Sequence, residues 1–131
     1  MAFEDTQRYM LETPEGEREW EALLPLGGGI IRLGEQREPA TISMFHQLDC
    51  LNIMRKAIVA QASNTSYQGP GGLERHCINY VRQMVLCRSD IRLENVKDIG
   101  LHSTEITSLY TCRDWEVVYQ NANKNIEDVP E

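Results

Sequence analysis

Two apolar segments with helical periodicity, each carrying a histidine and a cysteine, constrain this chain more than anything else in it. They are Phe45-His46-Gln47-Leu48-Asp49-Cys50-Leu51 and Glu74-Arg75-His76-Cys77-Ile78-Asn79-Tyr80. Met44, Leu48, Leu51, Met54 and Ile58 recur at three- and four-residue steps, so an amphipathic helix runs from Thr41 or Ser43 to about residue 62. On it His46 and Asp49 are neighbours, and Cys50 lies one turn beyond His46. A second helix over residues 73–88 carries His76, Tyr80, Gln83 and Cys87 on one stripe and Cys77, Val81 and Met84 on the next. Residues 63–72, rich in Gly, Ser, Asn and Pro, reverse the chain and make an antiparallel hairpin of the two. In such a hairpin His46 and His76 start at opposite ends. Only an offset or a crossing angle brings their rings to a common pocket, and that convergence is the central expectation.

The rest of the chain reads as support for this pair. Residues 1–12 read as a polar, flexible arm or a frayed lead-in. Thr13-Pro14 caps a short helix whose acidic start, Glu15, Glu17 and Glu19, suits a helix N-terminus, and whose Trp20, Leu23 and Leu24 share one side up to Pro25. Gly27-Gly28-Gly29 lacks the Lys-Ser/Thr of a phosphate loop and reads as a turn before a strand at residues 30–33. Residues 91–94 are the expected pairing partner of that strand. Residues 97–108 lack periodicity and hold His102 on an exposed loop. Thr111-Cys112-Arg113-Asp114 resembles a capping box and opens a last helix with Trp115, Val118 and Tyr119 on its apolar side. The fold class is therefore mainly helical, one small domain over residues 13–123 with room for one short two-stranded sheet, followed by an acidic tail at 124–131.

A formal charge of -7, with no Lys/Arg run to offset it, argues against nucleic acid and anionic membranes as partners. No stretch is long and apolar enough for a membrane span, and the amino end lacks the order of a signal peptide. If this is the complete native chain, the cytosol follows. Asn64-Thr65-Ser66 is an N-glycosylation sequon, which points instead to an oxidising lumen. Cys77 and Cys87 would lie about 15 Å apart on one helix, too far for a disulfide, so if all four cysteines pair, each of these joins Cys50 or Cys112. No Cys-x-x-Cys spacing suggests zinc.

These segments resemble the fungal UstYa-like family of secondary-metabolite tailoring proteins. The likeness runs from Trp20-Glu21-Ala22-Leu23-Leu24-Pro25 to Cys112-Arg113-Asp114-Trp115 and is most specific at the two His/Cys segments. The family hallmark is a pair of His-x-x-His-Cys motifs. Here His46, Cys50, His76 and Cys77 match, while Asp49 and Leu73 stand where the motifs have histidine. The resemblance implies oxidative cyclisation, hydroxylation or halogenation of a peptide or small metabolite, with copper in some members. It also implies disulfides among Cys50, Cys77, Cys87 and Cys112, an endomembrane location and a single membrane anchor that this sequence does not contain.

Three functional readings use the same residues. In the first, His46, Asp49 and His76 form a metal site, copper by family resemblance, that drives an oxidative cyclisation. In the second no metal takes part: Asp49 orients His46, His46 or His76 carries a proton, and Tyr80 donates a hydrogen bond to a substrate carbonyl, which makes a cyclase or isomerase. In the third the chain is a non-catalytic partner in a homo- or heterodimer.

Overall fold

The computed structural model describes residues 6–63, 69–93, 96–98, 103–104 and 110–128. Within these the chain is mainly helical. Helix α1 (Pro14–Glu21) begins as its sequence dictates, with the Thr13 hydroxyl accepting the Gly16 N–H at 3.1 Å and Glu15 and Glu17 in the first turn. A 3-10 turn at Leu26–Gly29 leads into β1 (Ile30–Leu33), followed by β2 (Glu38–Thr41), α2 (Ser43–Ala62) and α3 (Gly72–Arg88). Beyond α3 come β3 (Val96–Asp98), β4 (Ser103–Thr104) and α4 (Trp115–Glu127). No helix among the described residues is long and apolar enough to cross a membrane.

Several sequence expectations are corrected. Strand β1 pairs antiparallel with β2, Ile30 opposite Thr41 and Leu33 opposite Glu38, and not with residues 91–94. A tight turn, with Arg37 N–H donating to Gly34 O at 3.2 Å, closes this local hairpin at far lower entropic cost than a partner sixty residues away. Residues 91–93 form no strand, and Glu94 lies outside the described residues. Strands β3 and β4 pair in the stretch where the sequence shows no periodicity. The last helix is capped by Asp114 itself, whose carboxylate accepts the Val117 N–H at 3.3 Å, so Thr111 is not the cap. Helix α4 runs on to Glu127, into the stretch read as a tail. His102 and Asn64 lie outside the described residues.

The core centres on Phe45, which is fully buried. Its ring meets Tyr119 edge-on at 4.9 Å, and the Tyr119 hydroxyl donates to Leu23 O at 2.6 Å. Burial raises the Tyr119 phenol above its ordinary pKa. On the other side Gly29 lies so close that a Cβ there would come within 2.7 Å of Phe45 Cβ. Helix α4 covers the outer edge of β1 with side chains. Asn125 accepts the Arg32 N–H at 2.7 Å and donates to Arg32 O at 3.0 Å, doing for one residue what a neighbouring strand would do. Asn123 accepts the Leu26 N–H at 2.9 Å.

Residues 8–11 are tied to α1 and α2. Glu19 accepts from Arg8 Nε at 3.0 Å and from the Tyr9 N–H at 2.6 Å, and Trp20 Nε1 donates to Tyr9 O at 2.9 Å. Arg55, buried at 4% exposure, is the anchor beneath them: it donates to Leu11 O, Asn52 and Glu17 and lies over the Trp20 ring. A buried guanidinium with this many acceptors is satisfied rather than stranded.

Gly29→Ala is expected to lower stability by about 2–4 kcal/mol, from a side chain at φ +79° plus crowding against Phe45. Gly34→Ala, at φ +69° with open space around it, loses only about 1–2 kcal/mol; urea unfolding of both variants measures the difference. Lys56, then Arg55, holds the Glu17 carboxyl below its ordinary 4.5. A depressed carboxyl stabilises the fold in full above its unfolded value, and that contribution fades as pH falls through the lower folded value. The stability gap between the wild type and Glu17→Gln therefore shrinks in acid below pH 4.5, measured as urea midpoints against pH.

Candidate functional site

The α2–α3 contact sets the site. Cys50 and Cys77 are joined by a disulfide with Cα atoms 4.8 Å apart, and both are buried. From His46 to Cys50 the chain advances four residues along α2, while the contact retreats along α3 from Tyr80 to Cys77. The helices therefore run antiparallel, as the sequence suggests. They are offset: α2 overshoots the start of α3 by about 10 Å, seven residues at the helical rise. This offset removes the separation that a flush hairpin would impose on the two histidines.

The rings of His46 and His76 lie 5.6 Å apart, centroid to centroid, at an interplanar angle of 21°. Tyr80 stacks on His46 at 4.1 Å and 25°, and lies 6.1 Å from His76 at 8°. His46 and Tyr80 are half-buried, and His76 is exposed. Two clefts open beside the stack. One, of about 450 Å³, runs along α3 between Arg75, His76, Asn79, Tyr80 and Gln83. The other, of about 240 Å³, is lined by Gly28, Ile30, Thr41, Phe45, His46 and Asp49. His46 lines the smaller cleft, and His76 and Tyr80 line the larger.

The expected site residues divide accordingly. His46, His76 and Tyr80 come together; Asp49 lies in the cleft with His46, apart from the cleft that His76 lines. Among the described residues no three His, Cys, Asp or Glu side chains group closely enough to hold a metal ion, so the ligand set His46, Asp49 and His76 is not assembled. Asp49 precedes Cys50 by one residue and points away from the bridged seam, while His46, one turn earlier, turns back towards α3. The donors fit copper as a two-imidazole fragment and no further.

Cys87 and Cys112 are both exposed, and no bridge joins them. Sequence reasoning did not single out Arg75 or Asn79, which flank His76. Their positions one turn apart on the His76 side of α3 were the available signal. It also missed an apolar groove of about 550 Å³ on the other side of α2, where Met44, Leu48 and Leu51 face Trp20, Trp115 and Tyr119.

Replacing both Cys50 and Cys77 by alanine is expected to cost about 3–4 kcal/mol, the loop-closure value for a 27-residue separation. Urea unfolding gives the figure, and a non-reduced peptide map of the wild type shows the Cys50–Cys77 link.

Comparison with known proteins agrees with the motifs. The family model described as mycotoxin biosynthesis protein UstYa matches residues 28–125. The UstYa family oxidase phomYb of Diaporthe leptostromiformis is 28% identical over 128 residues, covering 86% of this chain and 51% of the relative. Oxidase ustYa of Aspergillus flavus is 32% identical over 90 residues, 66% of this chain and 41% of the relative. The UstYa family oxidase VicYc of Bipolaris victoriae is 31% identical over 83 residues, 60% of this chain and 82% of the relative. The chain spans about half the length of phomYb and less of ustYa. No solved structure matches.

Proposed function

Because the chain belongs to the UstYa family and its relatives carry the name oxidase, we propose that it is a tailoring oxidase of fungal secondary metabolism. The observation that carries the reading is the stack of His46, Tyr80 and His76 between two open clefts. Removing two hydrogens from a substrate releases two protons and two electrons; imidazoles beside open space can take up the protons, and the electrons would pass to molecular oxygen, the co-reactant that an oxidase uses. In this reading the substrate lies across the stack. His46 and His76 accept protons, Tyr80 holds His46 flat and presents its hydroxyl to a substrate carbonyl, and Gln83 and Asn79 border the larger cleft. Copper is the group that the family implies, but two imidazoles are an incomplete donor set for it, and no step is assigned to it here. The buried Cys50–Cys77 bridge supports an oxidising compartment.

A second reading rests on a separate observation. His46 and Asp49 share the smaller cleft, and the metal ligand set is not assembled, which favours acid–base cyclisation without net oxidation.

The test is the metabolite profile of a producing strain whose gene carries His46→Gln or His76→Gln. Either change is expected to lower product roughly a hundred- to ten-thousand-fold and to accumulate a precursor that retains the hydrogens otherwise removed. Leu86→Ala, an exposed position on α3, serves as the control. An accumulating precursor of the same mass as the product moves the assignment to the cyclase reading. Unchanged product in both histidine variants rules out this site.

A further inference from the structure

The α2–α3 pair has two long sides, and the histidines use one of them. Cys50 and Cys77 face each other across the seam. In an antiparallel pair, a rotation of about 100° forward from each cysteine leads to the same side, and a rotation backward leads to the other. His76 and Asp49, one residue before the cysteines, and His46 lie on the backward side. On the forward side stand the residues one and eight after each cysteine: Leu51 and Ile58 on α2, Ile78 and Val85 on α3. All four are exposed, at 39%, 56%, 60% and 65%. Single exposed apolar residues need no explanation, but a continuous row across two helices marks an interaction surface.

The row has an order that selects its occupant. On α3 the positions 74, 78, 81, 85 and 88 alternate steps of four and three, the spacing of a helix–helix seam, and read Glu, Ile, Val, Val, Arg. The seam is apolar in the middle, acidic at its start and basic at its end. A second α3 laid antiparallel about a two-fold axis near Val81 places Ile78 against Val85 and Glu74 against Arg88, at both ends alike. The sequence is complementary to itself, which is what an isologous interface requires. On α2, Gln47, Leu51, Met54 and Ile58 repeat the same spacing beside that seam. Neither Glu74 nor Arg88 takes part in an ion pair among the described residues.

We propose that this face binds a second copy of the chain, with α3 packed against α3 and the two histidine sites turned outward on opposite sides. The proposal is independent of which reaction the histidines serve.

Sedimentation of the purified chain over micromolar to near-millimolar concentration tests it. The wild type is expected to pass from one to two times the monomer mass. Ile78→Glu and Val85→Glu, each at an exposed position, are expected to stay monomeric with an unchanged circular dichroism spectrum and an intact Cys50–Cys77 bridge. Glu74→Lys weakens the dimer, and adding Arg88→Glu to it restores the association, which a purely structural role would not do. Hydrogen exchange of the wild type, in which the α3 amides become more protected as concentration rises, gives a second readout that needs no variant. A wild type that stays monomeric throughout, including one that binds lipid vesicles instead, overturns the proposal. So does a dimer that survives both glutamate substitutions.

Discussion

One covalent contact fixes the register on which the site depends. Without the Cys50–Cys77 bond, two amphipathic helices joined by nine residues can slide past each other by a turn at modest cost, because Leu, Met and Val are interchangeable on a helical seam. A slip of one turn moves a ring on one helix by about 5.4 Å relative to the other. That is as large as the 5.6 Å separation of His46 and His76, so such a slip would either double it or bring the rings into collision. Few apolar side chains are buried among the described residues: Phe45, Cys50, Cys77 and Ala122. With so thin a core, packing alone specifies register weakly, and a cross-link takes over that role.

The second constraint holds the start of α2. His46 follows Phe45, and Phe45 is clamped between the Gly29 backbone and the Tyr119 ring. Gly29 in turn belongs to the turn that begins β1, whose free edge is closed by Asn125 of α4. A residue ninety positions away in sequence therefore helps to aim an imidazole. The amino-terminal part of the chain grips α2 farther along, through Arg55 and Lys56. Helix α2 is held at three points along its length: by Phe45, by Cys50 and by Arg55.

Much of this was legible in the sequence because it was local. The periods of α2 and α3, the Thr13-Pro14 start of α1 and the turn made by the glycines each follow from residues within a few positions of one another. Strand partnership is local where strand propensity points to a distant partner. Residues 30–33 and 91–94 both carry strand-forming Ile and Leu, whereas the partner that 30–33 takes, Glu38–Thr41, contains Pro39. Proximity in the chain outweighed strand propensity, and an edge strand tolerates the proline. The histidine site was half legible. Both imidazoles can be named from their motifs, but the offset that unites them is a property of the bridge, and the sequence leaves two full pairings of the four cysteines open.

The bridge also explains what the two departures from the family motif cost. Measured along the helices from Cys50 and Cys77, the four motif positions form a row in the order His46, Asp49, His76, Leu73, with the cysteines at its middle. Four histidines in that row would offer imidazoles at every step. Asp49 keeps a charged donor but has a shorter reach than imidazole, and Leu73, 58% exposed, offers none. The two imidazoles that remain are not equivalent by the symmetry of the helix pair: His46 is four residues before its cysteine and His76 is one before. They still meet because the longer step on α2 is matched by Tyr80, whose ring stacks on His46 from the facing helix and lies nearly parallel to His76. A row shortened in this way loses chelating capacity first and proton-accepting capacity last, since a proton needs one nitrogen where a metal ion needs several.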